Sequence, residues 1–265
     1  MGSLDGSFNF RDTGGTPLAA GGVTLAGVLY RSDALSGLTP TGVEQLAATD
    51  IRVVVDLRTP IELQMAPDRL PVAPAMRVVE LALPEGALIG MAQEAMQAGD
   101  AAAAATAVQR ALLELPSLGA SYVSMLAHGA AAFARLARLI AAPTDGSPGG
   151  SAVLVHCTAG KDRTGVAIAL LLDAVGADRS AVIADYASSE ANLAGAWADG
   201  MFAMIAMLGV PRTPALEELM AGTPAAAINE ALTWVDREHG GSAGYLRSGG
   251  LTAEELAALR ARLTD

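Results

Sequence analysis

Residues 152–176 constrain the fold more than any other stretch. An apolar run without alternation, Ala152-Val153-Leu154-Val155-His156, passes through Cys157-Thr158-Ala159-Gly160-Lys161-Asp162-Arg163. It then enters a segment, 164–175, that is apolar on nearly every side until Gly176 stops it. A short apolar strand leading into a helix with no polar face describes a strand–loop–helix unit buried on both sides, the building block of a parallel sheet. The rest of the chain repeats that alternation. Strands are predicted at 28–31, 51–57, 77–83 and 152–156, and helices at 121–140, 164–175, 179–197, 214–221 and 224–238. Two further helix starts carry capping signals. Thr39 precedes Pro40, with Leu38 and Val43 as a staple, and Thr252 with Glu255 forms a capping box beside the staple Leu251 and Leu256. The expected class is α/β, a central, mostly parallel sheet flanked by helices on both faces.

Cys157 is the only cysteine and Lys161 the only lysine, in a chain that uses Arg at its other sixteen cationic positions. A free thiol has a pKa of about 8.5, and only its thiolate attacks. The spacing from Cys157 to Arg163 lets the backbone fold into a cup whose N–H groups point inward, with the N-terminus of the following helix aimed at the same point. Such a cup stabilises both a thiolate and a phosphoryl dianion, so Thr158, Ala159, Gly160, Lys161 and Thr164 are candidate substrate-binding positions. Arg163 can hold two phosphoryl oxygens through its planar fork. Gly160 permits the turn, and Gly165 is expected to let the first helical turn pack close to the sheet. Thr164 is expected to offer its hydroxyl to the sulfur, and His156 to orient the loop by hydrogen bonds. A lone cysteine at a strand end is more often a buried small hydrophobe; the register of His156, Gly160, Arg163, Thr164 and Gly165 favours the cup. A Walker-type loop is excluded by order, because Asp162 and Arg163 separate the lysine from Thr164. With only His128 and His239 besides His156, no zinc spacing is present, and no metal or other cofactor is expected.

The run His156-Cys157-x-x-Gly160-Lys161-x-Arg163-Thr164-Gly165 resembles the signature of the cysteine-dependent protein-tyrosine and dual-specificity phosphatases. Asp162 before Arg163, with Asn9-Phe10-Arg11-Asp12 and Leu29-Tyr30-Arg31-Ser32-Asp33, is similar to the bacterial branch typified by mycobacterial protein-tyrosine phosphatase B. Val55-Asp56-Leu57-Arg58 and Gly240-Gly241-Ser242-Ala243-Gly244-Tyr245-Leu246 extend the likeness over nearly the whole chain. The resemblance implies a cysteine phosphatase fold and a phosphomonoesterase working through a phosphocysteine. Its substrates would be phosphotyrosine proteins, with phosphoserine, phosphothreonine and phosphoinositides as further or even main substrates; a phospho-ligand binding protein without turnover is the alternative outside enzymes. It also implies that Asp162 is the general acid. The residues agree, since 121–144 holds no carboxylate and Asp145 lies in a Gly/Pro/Ser-rich connector. Asp56, at the end of a buried strand, is the alternative acid, against a plainer reading as an ion pair with Arg58. Lys161 is either a solvated rim residue or a cation for additional anionic groups. Arg11 and Asp12 are expected to brace the cup from outside.

The chain of 265 residues suits one domain with an insertion. That insertion, 84–118, is rich in Ala and Met and broken by Gly86, Gly90, Gly99 and Pro116. The resemblance makes it a helical lid over the site; an ordinary scaffold insertion is the plain alternative. A net charge of −11 argues against nucleic acid as partner. No signal-peptide pattern opens the chain, and its densest apolar run, 166–172, is far shorter than the ~20 residues of a membrane span, so no integral membrane association is expected. A single cysteine forms no internal disulfide and a catalytic thiolate suits a reducing compartment, so the expected location is cytoplasmic, leaderless export being invisible to this reading.

Overall fold

The computed structural model describes residues 3–83, 116–142, 151–207 and 211–264. Among these, five strands form one sheet: β1 (Arg11–Asp12), β2 (Leu29–Ser32), β3 (Ile51–Asp56), β4 (Arg77–Glu80) and β5 (Ala152–His156), in the order β1-β2-β5-β3-β4. Only β1 runs antiparallel, against β2; the other pairings are parallel. Strand β5 is therefore central and buried along its whole length. Its register places His156 opposite Ser32 on one side and Asp56 on the other, so three strands end together. Crevices at the carboxyl ends of parallel strands are where open α/β sheets bind ligands.

The described helices are α1 (Pro40–Ala47), α2 (Pro60–Met65), α3 (Leu118–Ala141), α4 (Arg163–Ala174), α5 (Arg179–Leu193), α6 (Ala196–Met207), α7 (Pro214–Ala221), α8 (Ala225–His239), α9 (Ser242–Ser248) and α10 (Ala253–Thr264). The caps behave as the sequence predicts: the Thr39 hydroxyl accepts from the Gly42 amide, and Thr252 and Glu255 exchange hydrogen bonds. The helix expected over 179–197 ends at Leu193, because Gly195 takes φ +77° and turns the chain before α6 begins. Helices α2, α6 and α9 were not expected. In α9 a buried Tyr245 donates its hydroxyl to the Leu126 carbonyl at 2.6 Å, so that glycine-rich segment serves packing on α3.

Alternation along the strands divides the core. Val53, Val55, Val153 and Val155 face a large cluster with Phe133, Leu170, Ile228 and Leu259, whereas Tyr30, Val54 and Leu154 face a smaller one with Leu4, Leu35, Leu38 and Leu46. Helices thus cover both faces, in keeping with the α/β class. Every residue of α4 except Asp173 is buried. Helix α3 is long and apolar enough to cross a membrane by length and composition alone. Tyr122, Leu126, Phe133, Leu136 and Ile140 nevertheless lie in the core, which makes α3 a central packing helix. Residues 84–115, most of the expected lid, lie outside the described residues, as does Asp145.

Candidate active site

Strand β5 delivers Cys157, 1% exposed, to the foot of a loop that closes into α4. At Gly160 the backbone takes φ +69°, and a Cβ there would stand 2.3 Å from the Ser32 carbonyl oxygen. Only glycine fits that crossing. The loop's carbonyls are held from outside: Thr158 O accepts from the Ala34 amide at 3.0 Å, Ala159 O from Asn9 Nδ2 at 3.1 Å, and Gly160 O from Arg31 Nη2 at 2.7 Å. Among the described residues, none of the amides from Thr158 to Asp162 donates to an acceptor. Carbonyls turned out and amides unspent are the electrostatics of an anion cup, and the N-terminus of α4 adds its dipole.

Arg163 is fully buried, and its fork is set by a residue the sequence reading missed. Nη1 donates to Glu62 Oε2 at 2.8 Å and Nη2 to Oε1 at 2.6 Å, while the Thr158 hydroxyl donates to Oε1 at 2.5 Å. Burial pushes the Glu62 carboxyl upward, but Arg163's hydrogen bond and charge, with the Thr158 hydroxyl and the Thr59 amide, outweigh it and hold the pKa at about 2. Glu62 reaches this position because Thr59 and Glu62 form a capping box at the start of α2. The pattern Thr59-Pro60-Ile61-Glu62 directly after a strand was a usable signal.

Asp162 is 7% exposed, and its Oδ1 accepts from the Tyr122 hydroxyl at 2.5 Å and from Lys161 Nζ at 2.9 Å. Lys161 is therefore no solvated rim residue. It is 1% exposed, and its ammonium also donates to the Gly222 carbonyl between α7 and α8 at 3.2 Å. One further expectation needs correction and another an addition. Among the described residues the buried Thr164 hydroxyl has no hydrogen-bond partner, so its bond to the Cys157 sulfur is not made. Gly165 makes its closest approach to α5, where a Cβ would lie 2.8 Å from the Tyr186 ring, with Arg31 of β2 in the sheet next at 3.5 Å.

Behind the cup, His156 places Nδ1 3.3 Å from the Cys157 carbonyl and Nε2 3.2 Å from Asp68 Oδ2. Asp56 gives both oxygens to Arg58, at 2.7 to 3.1 Å, so the ion-pair reading describes it rather than that of an acid aimed at substrate. Arg58 also reaches Asp68 Oδ1 at 2.8 Å. Burial raises the Asp68 carboxyl, while His156 and Arg58 pull it below the usual range. Asp56, Asp68 and His156 each offer a ligand atom within 4.8 Å of the others. A guanidinium lies on both carboxylates, however, and a divalent ion would have to expel it, so the donor set fits Arg58 rather than a metal.

Arg11 donates through Nε to Asp185 Oδ1 at 2.8 Å, while Arg31 Nη1 reaches Asp185 Oδ2 at 2.5 Å. Burial, then the charge of Arg31, lowers the Arg11 guanidinium to about 10, with Asp185 opposing. Arg11 thus braces the cup through Asp185 and Arg31. Asp12 does not: its oxygens accept from the amides of Gly14 and Gly27, at 2.8 and 2.7 Å, and fix that loop instead. Asp33 holds the collar together, accepting from the Ser7 hydroxyl and the Asn9 amide.

A cysteine at the end of a central parallel strand, followed by a loop of unspent amides that closes on a clamped guanidinium, belongs to the cysteine-dependent phosphatases. Sequence comparison agrees, for the model of the tyrosine phosphatase family matches residues 2–265. The chain belongs to that family and is a protein-tyrosine phosphatase. It is 31% identical over 245 residues to a tyrosine-protein phosphatase of Nostoc commune, covering 90% of this chain and 74% of that protein. It is also 31% identical over 286 aligned positions to the triple specificity protein phosphatase PtpB of Mycobacterium tuberculosis, covering 97% of this chain and 96% of that one.

Proposed function

We propose that Cys157 is the nucleophile of a two-step phosphoryl transfer whose main substrates are phosphotyrosine proteins. The sulfur attacks phosphorus as the ester P–O bond breaks, and Asp162 gives its proton to the departing oxygen. Asp162 then takes a proton from water, whose oxygen attacks phosphorus; the S–P bond breaks, the thiolate is restored and phosphate leaves. Arg163 and the amides from Thr158 to Asp162 hold the equatorial oxygens through both steps, with the Lys161 ammonium adding positive charge beside them. The carrying observation is the run of loop amides after Cys157 that have no acceptor among the described residues, while the loop carbonyls are tied back by Asn9, Arg31 and Ala34. A thiol nucleophile with no second cysteine to cap it suits a reducing, cytoplasmic setting.

A broader reading adds phosphoserine, phosphothreonine and phosphoinositides, drawing on the similarity to a phosphatase named for triple specificity. Turnover of a phosphotyrosine peptide, a phosphoserine peptide and phosphoinositide vesicles by the wild type and by Cys157→Ser separates the cases. The expected ranking puts the phosphotyrosine peptide first and leaves Cys157→Ser inactive on all three. A serine variant with full activity would refute the covalent mechanism, and a phosphoinositide preference would reassign the main substrate.

A further inference from the structure

We propose that Tyr122 is a positioning residue that forces the proton exchanged by Asp162 onto Oδ2; this rests on the reading of Asp162 as acid and base. Tyr122 lies near the start of α3, 1% exposed, and its hydroxyl reaches Asp162 Oδ1 at 2.5 Å. Lys161 Nζ occupies the same oxygen at 2.9 Å, whereas Oδ2 accepts nothing among the described residues. A carboxylate oxygen offers two lone-pair sites, and both on Oδ1 are taken. A proton carried by this carboxyl therefore sits on Oδ2, and two donors on one oxygen restrain rotation of the group.

The donor direction is fixed by a second phenol. The Tyr186 hydroxyl lies 2.8 Å from that of Tyr122, the rings meeting edge to face at 6.0 Å. Each phenol has one proton to give. The charge on Asp162 draws that of Tyr122, so Tyr186 donates to Tyr122 and the chain runs from Tyr186 through Tyr122 to Asp162. Burial first, and the Asp162 charge second, hold the Tyr122 phenol well above its ordinary range, so it stays a donor throughout the working pH range. Tyr186 is itself located by Gly165, whose missing side chain lets the ring close on α4.

The experiment measures kcat on a phosphotyrosine peptide, whose leaving group needs the proton, and on p-nitrophenyl phosphate, whose leaving group does not. Asp162→Asn should cost the peptide about a hundredfold or more and the activated ester far less. Tyr122→Phe, an isosteric change, should cost about tenfold on the peptide and less than about twofold on the ester, with little further loss when added to Asp162→Asn. Tyr186→Phe, which spares the bond to Asp162, should cost less than Tyr122→Phe on the peptide. Equal losses on both substrates for Tyr122→Phe, or losses that add fully to those of Asp162→Asn, would overturn the positioning role while leaving the acid in place. An Asp162→Asn variant with equal losses on both would remove the acid assignment and this proposal with it.

Discussion

Replacing Glu62 with Gln tests whether the orientation of Arg163 is an electrostatic property of the folded chain. Gln keeps the volume and one carbonyl oxygen but turns the other acceptor into a donor, so one of the two bonds to Arg163, at 2.8 and 2.6 Å, becomes a donor–donor clash. Hydrogen bonds to charged groups contribute about 1.5–3 kcal/mol each. An independent figure comes from the carboxyl itself: its fall from 4.5 to about 2 corresponds to about 3 kcal/mol. Screening at a side chain 19% exposed reduces that to about 2 kcal/mol. Urea denaturation near pH 7 should therefore show Glu62→Gln less stable by about 2 kcal/mol. Because the folded pKa is depressed, this contribution is full above the unfolded value and is lost as pH falls toward about 2. The gap to wild type should then narrow by about 1 kcal/mol at about pH 3.5. In the same variant kcat/KM for an aryl phosphate should fall about 10- to 100-fold, as the guanidinium loses its fixed plane. A stability gap unchanged between the two pH values would mean lost packing rather than lost charge. An unchanged kcat/KM would show that Glu62 does not hold Arg163 for catalysis.

Arg163→Lys should lower kcat/KM by at least about a hundredfold, because an ammonium cannot serve Glu62 and two phosphoryl oxygens in one plane; a loss under tenfold would count against the clamp. Gly160→Ala meets the Ser32 carbonyl at 2.3 Å with φ at +69°, and should weaken vanadate inhibition along with turnover, while a variant with native vanadate affinity would show the loop to be more pliant than its geometry. Asp56→Asn breaks a buried ion pair and should destabilise by about 3–5 kcal/mol in thermal or urea unfolding, yet any kinetic loss should be equal on good and poor leaving groups. A selective loss on poor leaving groups would restore Asp56 as a candidate acid.

What the sequence disclosed was chiefly local. Strand β5 and helix α7 have the expected limits because an apolar run or a Pro-started amphipathic stretch contains its own boundaries. The cup was legible for the same reason, its amides, glycine and guanidinium being consecutive. Its wiring was not. Glu62 meets Arg163 across 101 residues and Tyr122 meets Asp162 across 40, and no periodicity connects such pairs. Lys161 misled for a related reason: a lysine beside a glycine usually points to water, and it takes the Asp162 carboxylate together with the Gly222 carbonyl, brought in by the α7–α8 connection, to make burial of this one tolerable. Gly165 was read against the sheet alone, whereas α5, which sequence order places later, supplies the nearer surface through the Tyr186 ring.

The three tethers on the loop carbonyls come from Asn9, Arg31 and Ala34, while the reacting groups lie far along the chain. The opening of the polypeptide is thus a clasp, woven into the sheet through β2, for chemistry performed elsewhere. A break in the backbone just after Ala34 would spare every reacting atom and still unfasten the loop. Two fragments divided there would regain turnover only on reassociation, making this phosphatase a natural starting point for a split reporter.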